Sequence, residues 1–410
     1  MPKHALRAVA MTAAFLPALA VAGPLSLDQA LELAVQRSHT TRSARAGVTS
    51  ASEATRAAGQ LPDPMLTAGV ENMPVTGPDR FSTARDPQTM KRIGISQEWV
   101  SSDKRSAREA VGRALTDREM AMERVAAAEA RTQAALAYLD AYYAGEALKL
   151  TVLNEKNARE ELEAGKGRLA TPSGNSAEVL ALMSSLGMAE DESGDLRQQQ
   201  SAASVALQRW VGVLADELNA PTVGALPSEA EFVANHPSVV ARQRDIEVAR
   251  QEATATATNR TPNWTWGVSY GQRTSYGDMV SFGVSIPLTV APGARQDRET
   301  AAKLALVDKA EAEFAEARRI AQTEYALLAS DSRRLQERIG RFRAAVMTPS
   351  QQRTTTTLAA YRSNQASLVM LFEARRAEVE VQRKLLALQR DLAKTQAQMA
   401  FKPIVIGGAQ

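Results

Sequence analysis

The chain contains no cysteine, only three histidines and few aromatic residues, which make up 5% of its 410 residues. It therefore offers no disulfide and no cysteine to carry a lipid. No stretch reaches 18 uninterrupted apolar residues, so the sequence predicts no membrane-spanning helix. The scarcity of aromatic residues argues against a thick globular core. Any attachment to a membrane must come from the fold of the protein itself.

The first 22 residues are predicted to be an export signal. Lys3 and Arg7 precede an apolar run at 8–19, and an A-x-A cleavage site follows at 20–22. The apolar run is shorter than the roughly 20 residues that a spanning helix needs. A buried N-terminal helix is the alternative, but it would not explain this order of charge, apolar run and small residues.

The charges of the chain are almost balanced. The full sequence has 49 Lys and Arg against 46 Asp and Glu, and the predicted signal removes two bases and no acid. A near-neutral protein gives no reason to expect nucleic acid as a partner. Ala, Gln, Arg and Glu dominate long stretches, and this composition is typical of long helices.

The two halves of the sequence can be laid over each other, which indicates an internal duplication. Gly94-Ile95-Ser96 matches Gly283-Val284-Ser285, 189 positions later. The same offset pairs Gln133 with Gln322, Ala137 with Ala326 and Leu139 with Leu328. We therefore expect a signal peptide at 1–22, a first structural repeat at 23–225 and a second at 226–410.

Each predicted repeat is a helix, a two-stranded ribbon and a long antiparallel helical hairpin. The helices are predicted at 27–59, running past Ser38, and at 228–261. The ribbons are predicted at 65–100 and 263–288, with strands at 65–71, 92–100, 263–271 and 279–288. Long helices are predicted at 106–164 and 296–347, with breaks at 164–175 and 361–365 and return helices at 176–214 and 367–399. At 1.5 Å per residue the long helices measure roughly 75 to 90 Å.

The second ribbon has the alternation of a membrane-barrel wall. Its apolar positions, separated by small or polar residues, are Trp264, Trp266, Val268 and Tyr270 in one strand and Val280, Phe282, Val284 and Ile286 in the next. The first ribbon alternates less clearly and carries the charged Glu98. A soluble sheet with one buried face gives the same pattern, but the chain offers nothing globular for that face to pack against. We therefore expect Trp264, Trp266, Tyr270 and Phe282 to face lipid.

Four strands cannot close a membrane barrel, because closed barrels begin at about eight strands. An open sheet edge in lipid would leave backbone groups without hydrogen bonds, at several kcal/mol each. Several copies of the chain must therefore complete one barrel together. Two, three or four copies would all satisfy this requirement.

These elements resemble the TolC family of outer-membrane efflux proteins over the whole mature chain. The most specific matches are the turn at 235–237 (Asn-His-Pro), the Gly-x-Ser pairs before the long helices, and the return turn at 360–369. The resemblance implies a mainly α fold, with four strands per chain in a shared twelve-strand barrel. It implies a homotrimer with a twelve-helix periplasmic tunnel. It also implies docking to a periplasmic adaptor and an RND-type inner-membrane pump.

Within that family, the segment 61–78 is most similar to the branch attached to heavy-metal resistance pumps, and 90–98 and 103–105 add to the likeness. The resemblance therefore implies a cargo of heavy-metal cations, of the copper and silver or the cobalt, zinc and cadmium type. A duct for drugs or other small molecules is one alternative. A soluble periplasmic coiled-coil scaffold is another, but it would not need Trp264, Trp266 and Tyr270 on one strand face.

The sequence does not indicate an enzyme. Beyond the predicted signal only His39 and His236 remain, and His236, which precedes Pro237, is expected to shape a helix bend. No Cys, His and Asp cluster has metal-ligand spacing, and no Gly-rich loop after a strand would cradle phosphate. We predict no catalytic residue, no metal site and no cofactor.

The hairpin turns are the predicted periplasmic gate. In the resembled family, acidic side chains soon after the second turn project into the constriction. Glu373 falls where one of them would be, and Met370 occupies the position of another. Glu178 lies at a related position after the first turn, so Glu373, Glu178 and Met370 are the gate candidates. As an alternative, Glu373 pairs with Arg375, Arg376 or Arg362 of a neighbouring subunit.

The same turns are the predicted docking surface for the adaptor, with Gly165, Gly167, Tyr361 and Asn364 at the tips. Met183, Met188 and Met370 lie near this end of the predicted tunnel. Methionine sulfur can bind Cu(I) or Ag(I), but methionine is also a common helix-packing residue. We favour packing over a methionine relay.

Overall fold

The structure is a computed structural model that describes residues 24–169, 175–215, 217–274 and 276–404. The predicted signal and the centre of the first predicted break, 170–174, lie outside these ranges. The helices are α1 (Leu27–Arg37), α2 (His39–Ala58), α3 (Ser102–Leu169), α4 (Ser176–Val211), α5 (Glu229–Ala234), α6 (Pro237–Ala257), α7 (Gln296–Phe342), α8 (Thr348–Arg362) and α9 (Leu368–Phe401). The strands are β1 (Met65–Glu71), β2 (Met90–Trp99), β3 (Trp264–Arg273) and β4 (Met279–Ser285). The mainly α fold with a four-stranded β part is confirmed.

Two helices predicted to be continuous are each divided by a capping residue. Ser38 separates α1 from α2, and its hydroxyl accepts a hydrogen bond from the Thr41 N–H at 3.1 Å. His236 separates α5 from α6 and caps α6 by accepting from the Ser238 N–H. Pro237 favours this helix start because its missing N–H is not needed in the first turn. His236 is thus a bend residue, as expected.

The first long helix is longer than predicted. α3 contains 68 residues, or about 100 Å of helix, and passes through the predicted break at 164 as far as Leu169. Gly165 lies inside α3 and does not end it. Its lack of a side chain serves the packing of α3 against α4 instead. A Cβ atom at this position would lie 2.7 Å from the Leu182 side chain of α4. The glycine therefore allows close contact between the two helices of the hairpin.

The second long helix continues through a proline. Pro349 cannot donate to the carbonyl four residues before it, and its ring would clash there. A π-helical turn at Arg343–Met347 precedes it, in which the Thr348 N–H bonds to the Arg343 carbonyl, five residues back. The Thr348 hydroxyl donates to the same oxygen at 3.1 Å. The predicted helix end at 347 is therefore wrong, because the chain forms a π turn there and continues as α8.

The strands form one antiparallel sheet in the order β1-β2-β3-β4. β2 pairs with β3 over its whole length, so the sheet joins the two halves of the chain. β4 ends at Ser285, before the predicted 288, because Pro287 has no N–H for a sheet hydrogen bond. β1 and β4 are the outer strands.

The helices lie side by side in a row that continues the order of the strands. Next to the sheet the neighbours follow the order α2-α3-α6-α7, and toward the hairpin turns the order is α4-α3-α9 and then α7 with α8. One border of the protomer therefore consists of β1, α2 and α4, and we call it the first edge. The opposite border consists of β4, α7 and α8, and we call it the second edge.

The largest buried cluster lies midway along α3, where α1 and the end of α4 pack against it. Tyr138 is fully buried there, and its hydroxyl lies 2.7 Å from the carbonyl oxygens of both Leu25 and Asn219. Burial raises the pKa of Tyr138 to about 12. Leu25 and Leu218 also form a short parallel bridge. This cluster fixes the first helix of the chain to the long hairpin.

A second buried contact joins His236 to α7 and to the chain beyond α9. The His236 Nε2 lies 3.2 Å from a Glu324 carboxylate oxygen, and Lys402 donates to the other oxygen. Since Nδ1 accepts from the Ser238 N–H, Nε2 carries the proton and donates to Glu324. Burial lowers the pKa of His236, and the charge of Lys402 adds to this, while Glu324 opposes it. Histidine is therefore held in its neutral form.

This arrangement predicts a pH-dependent stability. Because the pKa of His236 is lower in the folded protein than the ordinary value near 6.5, only the unfolded chain gains a proton as the pH falls through 6.5. The free energy of unfolding should decrease between pH 7 and pH 5. His236→Asn, which keeps a good capping side chain, should lack this component in denaturant titrations across that range. His39→Asn, at an exposed histidine, should behave as the wild type; an unchanged pH profile in His236→Asn would contradict the assignment.

Candidate functional site in the sheet and the hairpin turns

One face of the sheet is apolar across all four strands. The pairing places Leu66 beside Ile95, Ile95 beside Val268, and Val268 beside Phe282. The neighbouring rows align Ala68, Ile93, Tyr270 and Val280 on one side, and Gln97, Trp266 and Val284 on the other. Trp99 and Trp264 pair at the end nearest the helices, with ring centroids 6.0 Å apart. The apolar residues of the first ribbon, although they alternate less clearly, thus lie on the same face of the sheet as those of the second ribbon.

The side chains of this face remain exposed in the protomer. Leu66, Phe282 and Val280 are 71%, 69% and 73% exposed, and Trp264 and Tyr270 are exposed as well, while Trp266 is half-buried. A contiguous apolar surface of this kind on a single chain marks contact with lipid or with another protein. Tyr270 donates its hydroxyl to Asp278 at the end of the strand.

The opposite face is lined by small and polar residues. Gly94, Ser269 and Ser281 share one row, and Ser96, Gly267 and Gly283 share the next. A Cβ atom at Gly94 would lie 2.7 Å from the Ser269 side chain, so only glycine fits there. The sheet therefore has one apolar face and one hydrophilic face, which is the division expected of a barrel wall.

An ion pair on the hydrophilic face was missed at the sequence level. Arg92 donates to Glu71 at 2.7 Å and to Ser269 at 2.7 Å, which links three strands. Strict period-two alternation from Gly94 would have placed Arg92 on this face, but its partners lie on strands that are distant in sequence. Where the sheet meets the helices, Asn263 bridges Glu98 and Lys104 with hydrogen bonds of 2.7 and 2.8 Å. The Glu98 carboxylate, a weak point of the strand prediction, accepts a hydrogen bond in this way.

The gate candidates lie close to the hairpin turns. Met370 and Glu373 are exposed in the first two turns of α9, and Ser367 caps this helix by accepting from the Met370 N–H at 3.2 Å. Glu178 is half-buried and pairs with Arg168 at 3.0 Å. Within the described ranges Glu373 has no ion pair, because Arg375 pairs with Glu161 and Arg376 with Glu380. Pairing of Glu373 inside its own chain is therefore not observed.

The docking candidates differ in their surroundings. Tyr361 is half-buried under the Arg168 guanidinium, 5.6 Å from its ring centroid. Asn364 is exposed and has a positive φ of 60°, a conformation that asparagine tolerates in turns. Gly167 has open space around it, whereas Gly165 is buried against Leu182. Gly165 thus contributes packing beneath the turn and not an exposed surface.

The two hairpins are joined just above their turns by an apolar cluster. Leu162 and Leu182 of the first hairpin pack with Leu368, Leu371 and Phe372 of the second. Glu161 lies beside this cluster, where burial raises its pKa although the Arg375 charge acts in the opposite direction. The turns of one protomer are therefore held together as a unit.

The three methionines near the hairpin turns have different surroundings. Met183 and Met370 are exposed, and the Met188 sulfur accepts a hydrogen bond from Arg376 at 3.4 Å. In the described part of the chain, no group of three or more His, Cys, Asp or Glu residues is placed to hold a metal ion. None of the helices described is at once long and apolar enough to cross a membrane.

Comparison with solved structures identifies the architecture. The protein aligns with CusC, a protein studied for its folding and transmembrane channel formation, at a TM-score of 0.74 and 14% identity, covering 92% of this chain and 91% of CusC. It aligns with the outer-membrane protein VceC of Vibrio cholerae at 0.72 and 18% identity, covering 92% and 96%. It also aligns with the open state of the Neisseria gonorrhoeae outer-membrane channel MtrE at 0.72 and 15% identity, covering 92% and 88%. The chain has the TolC-like channel fold.

The likeness is one of structure, not of sequence. No protein-family model matches the chain, and no curated protein matches it in sequence. The TolC-like fold nevertheless accounts for both surfaces described above, the two-faced sheet and the paired hairpins. The proteins it resembles are described as channels or outer-membrane proteins, and not as enzymes. The likeness does not separate metal channels from other channels.

Proposed function

We propose that the chain is one subunit of an outer-membrane duct. It would passively conduct a substrate that a periplasmic adaptor and an RND-type inner-membrane pump deliver. The observation that carries the proposal is the sheet, with an exposed apolar face across four strands and a hydrophilic face behind it. Its location on about 100 Å of helix matches a barrel in the outer membrane above a tunnel in the periplasm. The predicted export signal at 1–22 agrees with this location.

The duct requires several copies of the chain. The outer strands, β1 and β4, lie on opposite edges of the protomer, so β4 of one subunit can pair with β1 of the next. The same rotation brings α7 and α8 of one subunit beside α2 and α4 of the next. Three copies supply twelve strands, and we propose this homotrimer in line with the TolC-like fold. The hydrophilic face, with its Arg92 and Glu71 pair, then lines the barrel.

We propose heavy-metal cations as the cargo. The support is the resemblance of segment 61–78 to the heavy-metal branch of the TolC family, since the fold itself is compatible with a duct for drugs or other small molecules. A soluble periplasmic scaffold is disfavoured, because it would leave the apolar sheet face in water.

We propose that Glu373 forms a ring at the periplasmic end of the duct. Its carboxylate is exposed and has no ion pair in the described part of the protomer, unlike Glu178. Threefold symmetry would bring three such carboxylates around one axis, where they would attract cations. Met370, one turn before, would form an uncharged ring beside it.

Substitution on the two sheet faces tests the barrel. Val268→Arg would place a charge on the lipid face near mid-strand, at a cost of roughly 2–4 kcal/mol. Ser281→Arg changes the residue next to Phe282, the cross-strand partner of Val268, but on the hydrophilic face at nearly the same depth. We expect a marked loss of correctly inserted protein in outer-membrane fractions for Val268→Arg only. Equal yields for the two variants would argue against a lipid-facing sheet.

Single-channel recording tests the Glu373 ring. Glu373→Gln keeps the shape of the side chain but removes its charge, so cation selectivity and block by multivalent cations should both weaken. Asp28→Asn is the matched control, because it removes one exposed carboxylate from α1, which packs midway along α3 and far from the hairpin turns. If Glu373→Gln retains the selectivity and block of the wild type, Glu373 is a structural residue.

A further inference from the structure

The part of the second edge that lies toward the hairpin turns carries a column of arginines along α7 and α8. From Asp331 to Arg362 the chain has two acidic residues and no lysine. Its seven arginines are Arg333, Arg334, Arg338, Arg341, Arg343, Arg353 and Arg362, and all are exposed. Only Arg341 has an ion pair among the described residues, with Glu337 at 3.9 Å. Like charges placed this close repel one another unless acids from elsewhere approach them.

The part of the first edge that lies toward the hairpin turns has the opposite charge. α4 contains five acidic residues against Arg197 and Arg209. Three of the acids pair within the chain: Glu178 with Arg168, Glu190 with Arg159, and Glu192 with Arg383. Asp191 has no ion pair in the described part of the protomer, and Asp195 only accepts from Gln199 at 2.7 Å.

Asp191 lies on the side of α4 that faces away from its own protomer. α4 buries a narrow seam of side chains that repeats every three or four residues, including Leu182, Ala189, Ser193 and Leu196. With about 100° of rotation per residue, Asp191 is about 200° from Ala189 and thus opposite this seam. Asp195 is one turn further along, near the same side.

Arg353 and Asp191 lie at the same level along the helix axes. The Thr354 hydroxyl donates to the Ala374 carbonyl in α9, and the next residue, Arg375, pairs with Glu161 of α3. Two residues before Glu161, Arg159 pairs with Glu190 of α4, the neighbour of Asp191. The pair of Arg383 with Glu192 places Asp191 somewhat farther from the turns, so Arg353 and Asp191 lie within one to two helical turns (about 5–10 Å) of the same level, on opposite edges of the protomer.

We propose that these two charged edges bind each other in neighbouring subunits, with Arg353 contacting Asp191 and Asp195 of the next copy. This inference rests on the proposed duct, in which a rotation axis runs parallel to the helices. Such a rotation preserves the level of every residue, so each basic edge meets the acidic edge of the next subunit at the height shown above. Measured along the helix axes away from the hairpin turns, Asp195 lies about 6 Å beyond Asp191, and Arg343 lies about 15 Å beyond Arg353. Asp195 is therefore displaced from Asp191 in the direction of Arg343. The closed ring thus supplies acidic partners for Arg353 and Arg343, which have none among the described residues of a single protomer.

Charge exchange between the two edges tests this contact. The full-length protein is purified in detergent, and the temperature at which the oligomer dissociates is read from gel mobility at low and high salt. Asp191→Arg and Arg353→Asp should each lower this temperature by at least about 3 °C. The double variant Asp191→Arg with Arg353→Asp should recover most of the loss, because the pair is restored with its charges exchanged. Salt should destabilise the wild type more than Asp191→Asn with Arg353→Gln.

Lys149→Gln is the control, since Lys149 is exposed and its ion pair with Glu146 lies within one helix; it should leave the dissociation temperature unchanged. Single reversals without effect, or a double variant no better than the singles, would overturn the inference. So would single reversals that change only anion selectivity or only adaptor binding, because the arginines would then line the duct or bind the adaptor. A wild-type protein that forms no oligomer would instead refute the proposed duct.

Discussion

The unpaired backbone groups along β1 and β4 are the constraint on which the rest of the architecture depends. Each outer strand presents N–H and C=O groups that water can satisfy but lipid cannot. In the proposed duct the exposed apolar face lies against lipid, so the sheet would need pairing strands at both edges. In that duct, further copies of the chain supply these strands, because β4 lies at one border of the protomer and β1 at the other.

The helices lie side by side in the same order as the strands to which they connect. α2 leads into β1 and α7 follows β4, so a rotation that closes the sheet also places the helix edges beside each other. α4 buries only a narrow seam and leaves the remainder of its surface polar, which suits a wall one helix thick. On the second edge, Phe342 and Met347 are both half-buried although they are five residues apart in the sequence. The π turn between them accommodates Pro349 and keeps the same side of the helix against α9.

Features that depend on local sequence could be predicted. Period-two alternation revealed the strands of the second ribbon, and the absence of proline revealed the long helices. The hairpin turn at 361–365 followed from its own turn residues. What failed depended on contacts distant in sequence. Gly165 signals a break, but the neighbouring helix uses it for close packing with Leu182. Pro349 signals a helix end, but a π turn accommodates it, and Arg92 finds Glu71 and Ser269 only after three strands pair.

We propose that this chain completes one barrel with copies of itself. The most direct measurement is native mass spectrometry of the full-length protein in a non-denaturing detergent, together with amide hydrogen exchange to verify that the strands are hydrogen-bonded. We expect a species of three chains in which the strand amides are protected from exchange. A folded protein that remains a single chain under these conditions would contradict it, because the edges of β1 and β4 would then be unpaired.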